Sequence, residues 1–163
     1  CTLCADVGRN QMWSARHFMC DNGRFLTSGG MGTMGYSIPA AIGAKLANKN
    51  AFTVAICGDG AFQMAMNELA TVVQNDVDIK IIIMNNHCLG LINELYDQNG
   101  DKNRTCTNLG RYPDYKKIAE AYGVGYMHLD SACDLSDFTE RLIKYKGCVL
   151  AEVEVGEDIT SFA

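Results

Sequence analysis

Two short segments of this chain are apolar at nearly every position: Phe52–Cys57 (FTVAIC) and Ile79–Met84 (IKIIIM). A strand with one wet face alternates apolar and polar residues, whereas a run that is apolar on both faces must be covered on both. That requirement limits the fold more than any other feature. Patterns of helical period separate these runs from further short strands. Strands are expected at Thr2–Ala5, Arg24–Thr27, Phe52–Cys57, Ile79–Met84, Val124–Leu129 and Cys148–Val155. Helices are expected over Asn10–Met19, Ser37–Ala47, Gln63–Gln74, Leu89–Tyr96, Pro113–Tyr122 and Leu135–Tyr145, with Pro39 tolerated in a first turn. Met64, Leu69, Val72 and Val73 are expected to share one side of the third helix. Asp97 to Tyr112 is polar and irregular and reads as a mobile loop. The sum is an α/β fold of three layers, α/β/α, around a mostly parallel sheet of about six strands.

The 163 residues fit a single domain spanning 1–163, long enough to bury a core without staples. The net charge is -5 and the basic residues are scattered, so nucleic acid is not expected as a partner. No apolar run approaches bilayer-spanning length and no signal-peptide pattern is visible, so no membrane partner is expected either. The eight cysteines sit mostly inside apolar runs, as at Cys57 and Cys148, which reads as buried reduced thiols and a cytoplasmic location. Cys1-Thr2-Leu3-Cys4 lacks the second cysteine pair that a zinc site needs and reads as a strand start. The chain opens on Cys1 rather than Met, and is expected to be part of a longer protein.

In parallel sheets, ligands bind beyond the carboxyl ends of the strands. Two such ends stand out. Gly58-Asp59-Gly60 follows the Phe52–Cys57 strand, and Asn85-Asn86 follows Ile79–Met84, with 24 residues between Gly60 and Asn85. One helix plus one strand fills that gap, and a right-handed crossover leaves both ends on the same edge of the sheet. Asp59 then offers a carboxylate and Asn86 an amide oxygen to a hard cation such as Mg2+. Gly60 lets the backbone approach closely, and the amides of Gly60, Ala61 and Phe62 open a helix where anions are favoured. Either motif alone is most often a turn; the pair at this spacing points to a magnesium diphosphate.

The G-D-G, 24 residues, N-N arrangement resembles the signature of thiamine-diphosphate (ThDP) enzymes. Thr27 to Tyr36 (TSGGMGTMGY), Pro39 to Ala44, Asp6-Val7-Gly8, Gln11-Met12-Trp13, Phe62-Gln63-Met64 and Glu68-Leu69-Ala70 are similar to segments of the acetolactate synthases. The resemblance covers most of the chain and weakens after Leu91 and again after Gly123. It implies a ThDP-binding fold, and specifically the C-terminal ThDP- and Mg2+-binding (pyrophosphate) domain of a larger enzyme. It also implies Mg2+ ligands at Asp59 and Asn86 and at the carbonyl of Cys88. Gly60, Ala61 and Phe62 would meet the diphosphate, with Val7, Gly8, Arg9 and Asn10 on its other side, and Gly58, Asp59, Leu89, Gly90 and Leu91 would also contact the cofactor. Gly32 and Met34 would meet the aminopyrimidine, and the Met34 side chain, the catalytic contribution of this domain, would hold the cofactor bent.

The implied reaction decarboxylates a 2-keto acid such as pyruvate and passes the acyl-anion equivalent to a second carbonyl, as in branched-chain amino acid biosynthesis. The implied partners are the keto acid, a pyrimidine-binding domain supplying the activating glutamate, and further copies in a homo-oligomer. FAD is carried by some full-length members. Without the glutamate domain the isolated chain is expected to be inactive. Arg9 and Asn10 depart from the Gln and His usual in that family. Leu95, near Leu91, Ile92 and Glu94, stands where the anabolic enzymes have Trp. These departures keep a decarboxylase, an oxidase or a sugar-pathway carboligase in view. His87 could line the site, while His17 and His128 read as structural. Two readings of other classes also stand: a non-catalytic scaffold of the same fold, and a nicotinamide-binding domain. The latter rests on Gly30-x-Gly32-x-x-Gly35 but leaves Asn85-Asn86 unexplained.

Overall fold

A computed structural model describes residues 1–19, 21–130, 135–156 and 161. Six strands form one sheet: β1 (Thr2–Ala5), β2 (Arg24–Thr27), β3 (Thr53–Gly58), β4 (Lys80–Asn85), β5 (Gly125–Leu129) and β6 (Val149–Glu154). Their order is β2-β1-β3-β4-β6-β5, and every neighbouring pair is parallel. The helices are α1 (Arg9–His17), α2 (Ser37–Ala47), α3 (Asp59–Ala65), α4 (Leu69–Gln74), α5 (Gly90–Gln98), α6 (Tyr115–Tyr122) and α7 (Leu135–Lys144).

Both faces of the central strands are covered, as their apolar runs require. On one face Ala55, Cys57, Ile81, Ile83 and Leu150 share a core with Ile38 of α2, Phe62 of α3, Leu69 of α4 and Tyr115 of α6. On the other, Val149 and Ala151 pack with Met127, Leu129 and the α7 residues Phe138 and Leu142. The polar strand β2 lies at one edge, where Arg24 stays exposed.

The helix expected over Gln63–Gln74 is three pieces: α3 starts at Asp59, a 3₁₀ turn spans Met66–Glu68, and α4 follows. Ala65 leaves the helical region (φ -130°, ψ 6°), which breaks the register. The buried side is consequently Ala61, Phe62, Ala65, Leu69 and Val72, while Met64 and Val73 are exposed. Helix α6 starts two residues beyond Pro113, because the Asp114 carboxylate accepts the Lys117 amide at 3.0 Å and caps it. The segment expected to be a mobile loop is partly anchored: Leu89 N donates to Thr107 O (2.8 Å) and Leu109 N to His87 O (3.0 Å). The tail beyond Gly156 lies outside the described residues except at Ser161.

Candidate functional site

The chain runs from β1 outward to β2 and then crosses back to β3 on the other side of β1. Crevices open at such reversals, because the connections leave the two strand ends in opposite directions. A cavity of about 440 Å³ lies here. Its wall includes Val7, Gly8, Arg9 and Asn10 from the β1 end, Gly58, Asp59, Gly60 and Ala61 from the β3 end, and Asn86, Cys88, Leu89, Gly90 and Leu91 beyond β4, with Met34 reaching in from the turn before α2. Val7 and Leu91, 84 positions apart in sequence, thus share one wall. Trp13, Ser14, Ile56, Met84, Ile92, Val155 and Gly156 complete it. Ile56 and Met84 alternate with the core residues Cys57 and Ile83, so strand periodicity could have found them.

Two expected cofactor contacts do not line this cavity. Phe62 is fully buried in the core, edge-on to Tyr115 with ring centres 5.4 Å apart. Gly32 sits in the exposed turn before α2, and its amide already donates to Ser28 O at 2.9 Å. The glycines of the nicotinamide-type fingerprint, Gly30, Gly32 and Gly35, are likewise absent from the wall. His87 also does not line it: its imidazole pairs with Glu154 at 3.2 Å and stacks on Tyr112. Leu95 is exposed rather than in the wall.

Asp59 is the carboxylate in this wall. It is 1% exposed; one oxygen accepts the Gly60 amide at 2.9 Å and the other, Oδ2, is buried with no hydrogen-bond partner. Burial pushes its carboxyl above the usual range, against the amides of Gly60 and His87 and the His87 imidazole, which hold it down. A buried carboxylate oxygen without a donor is expensive unless a cation meets it. Asn86 is also buried and lies across the cavity wall; its Oδ1 accepts the Cys88 amide at 3.3 Å. The Cys88 carbonyl accepts Gly90 N at 3.0 Å and keeps a second lone pair. The donor set is therefore all oxygen, the chemistry a hard divalent cation takes.

Two glycines make room here. A Cβ on Gly60 would stand 2.8 Å from Leu89 Cδ2 and 3.3 Å from Met34 Cε. A Cβ on Gly90 would stand 2.7 Å from Asn86 Nδ2 and 2.8 Å from Arg9 Cδ. Both positions are therefore held to glycine by contact with site side chains.

Supporting residues had weaker sequence signals. Asp6, fully buried, accepts the amides of Val7 and Gly35 on one oxygen and Ser37 on the other. Asn10 donates to the carbonyls of Asp6 (2.8 Å) and Ile56 (3.4 Å), joining β1 to β3. Glu94 pairs with Arg9 and accepts both the amide (2.9 Å) and the hydroxyl (2.8 Å) of Ser161. No spacing rule links positions so far apart.

The family described as thiamine pyrophosphate enzyme, C-terminal TPP binding domain, matches residues 6–153. The acetolactate synthase large subunit of Cyanidium caldarium is 39% identical over 148 residues, covering 90% of this chain and 25% of that protein. That of Lactococcus lactis subsp. lactis is 41% identical over 136 residues, covering 83% and 24%. The probable acetolactate synthase large subunit of Methanocaldococcus jannaschii is 44% identical over 123 residues, covering 75% and 21%. The chain thus spans about a quarter of the length of these curated relatives.

Proposed function

Because this chain belongs to the thiamine pyrophosphate enzymes, through their C-terminal TPP-binding domain, we propose that it holds ThDP and Mg2+ for an acetolactate-synthase-like carboligase acting on a 2-keto acid. The observation that carries the metal assignment is the buried, unpartnered Oδ2 of Asp59, in one cavity wall with Asn86 and Cys88.

Asp59 Oδ2, the Asn86 amide oxygen and the Cys88 carbonyl would hold the magnesium, leaving its other positions to diphosphate oxygens and water. The amides of Gly60 and Ala61 would face the diphosphate, and the guanidinium of Arg9, steadied by Glu94, would add positive charge beside it. Met34 would support the cofactor from below, held there by the Asp6 bonds to Gly35 and Ser37. When bound, ThDP supplies the electron sink for decarboxylation and for transfer of the acyl-anion equivalent to a second carbonyl. The apolar wall of Leu89, Leu91, Ile92 and Val155 would exclude water from the reacting carbon. The activating glutamate would come from a pyrimidine-binding domain elsewhere in the protein, with a second copy as its natural source.

The test is calorimetric titration of the full-length protein with ThDP, with and without Mg2+, beside Asp59→Ala. Binding that needs Mg2+ and is lost in the variant is the expected result. Equal affinity with and without the metal, or in the variant, would overturn the assignment.

A further inference from the structure

A second group of ionisable side chains lies at the carboxyl ends of β5 and β6, outside the cavity. Val155 lines the cavity; Glu152 and Glu154 alternate with Val153 and Val155 and so project from the other face of the sheet. His128 stands opposite Glu152 in the β5–β6 register. One ligand atom from each of His128, Glu152 and Glu154 lies within 4.8 Å of the other two. His128 Nε2 is 3.7 Å from Glu154 Oε1, too far for a hydrogen bond. Two ligands bonded to one tetrahedral ion at about 2.0–2.1 Å are roughly 3.3 Å apart. The pair already stands close to the spacing a metal ion sets.

Charge gives an independent argument. Glu152 is 7% exposed, and Glu154 is partly buried beside it. Among the described residues neither glutamate pairs with a lysine or arginine. Their oxygens instead meet side-chain donors of Asn85, Tyr126 and His87. Asn85 Nδ2 donates to Glu152 Oε1 at 2.8 Å and to Glu154 Oε1 at 3.4 Å, and the Tyr126 hydroxyl donates to Glu152 Oε2. His87 Nε2 lies 3.2 Å from Glu154 Oε2. Ligating carboxylates are commonly fixed in this way by outer hydrogen bonds. Two adjacent carboxylates at low exposure call for a cation.

We propose that His128, Glu152 and Glu154 form a second cation site, for a divalent transition metal of the zinc type. An imidazole with two carboxylates suits such an ion, whereas Mg2+ prefers oxygen throughout. Three protein ligands leave a fourth position to water, and the exposed His128 gives access from solvent. The bound ion joins edge strand β5 to β6.

The test is titration of untagged full-length protein with Co2+, read by its visible ligand-field absorption, with Zn2+ as competitor. One equivalent with tetrahedral intensity is expected, displaced by Zn2+. His128→Ala, at an exposed position that leaves the fold intact, weakens binding at least about tenfold, and Glu154→Gln weakens it as well. Asp59→Ala retains the absorption, so the result is separable from the cofactor assignment. Absence of the band, or a band equally strong in His128→Ala, overturns the proposal.

Discussion

The carboxylate of Asp6 accepts the backbone amide of Gly35 at 3.0 Å across 29 residues of sequence. Its second oxygen accepts Ser37 N at 2.8 Å. One buried side chain therefore ties the end of β1 to the turn that carries Met34 and opens α2. Hydrogen bonds to a charged group contribute about 1.5–3 kcal/mol each. Asp6→Ala is expected to lower unfolding stability by about 3 kcal/mol or more and to weaken ThDP binding through Met34. Urea denaturation monitored by circular dichroism checks this, and a variant as stable as the parent contradicts it.

Asp59 should stabilise the cofactor complex while destabilising the free protein. Its raised carboxyl pKa means that the folded chain holds the proton more firmly than the unfolded chain. Stability therefore falls as pH rises from the ordinary carboxylate range through the raised value. Asp59→Asn removes this cost. Without ligands, the variant should melt higher than the parent at pH 7, with a smaller difference near pH 4, and should lack the gain expected of the parent on adding the proposed ligands, Mg2+ and ThDP. Scanning calorimetry at both pH values decides it; a variant that melts lower at pH 7 refutes the argument.

Gly60→Ala places a methyl group against Leu89 Cδ2 at 2.8 Å. That neighbour is the tip of a flexible side chain, so the loss should be about 1–2 kcal/mol, in the lower part of the usual overpacking range of about 1–3 kcal/mol. Leu89→Ala in the same chain should recover most of it, giving a double-mutant coupling of at least about 0.5 kcal/mol. Additive effects would mean that the contact is not what holds the position to glycine.

Burial sets thiol reactivity. Cys4 is pushed up to about 11 and Cys148 to about 12, and Cys57 is raised further by burial and by Asp6. At pH 8 these remain thiols, which are poor nucleophiles, whereas Cys1 and Cys106 are exposed. Iodoacetamide at pH 8 should label Cys1 and Cys106 within minutes, and Cys4, Cys57 and Cys148 only after denaturation. Mass mapping reads the sites, and rapid native labelling of Cys57 would contradict the buried assignment.

The sequence alone determined the layers and the elements. Runs such as Phe52–Cys57 and Ile79–Met84 can be buried only between two helical layers, and period and turn residues then locate all six strands to within a residue or two. It also marked Asp59 and Asn86, because both follow strands directly and a parallel sheet brings such ends together. Tertiary structure decided what depends on contacts remote in sequence. The 3₁₀ break turned Met64 outward. Phe62 went to the core rather than the cavity. Asp6 was joined to Gly35, Glu94 to both Arg9 and Ser161, and His128 was set beside a pair of glutamates. Local propensity reports one residue's neighbours along the chain, whereas these partners are chosen by strand order and helix docking, which bring distant residues side by side only once the sheet has closed.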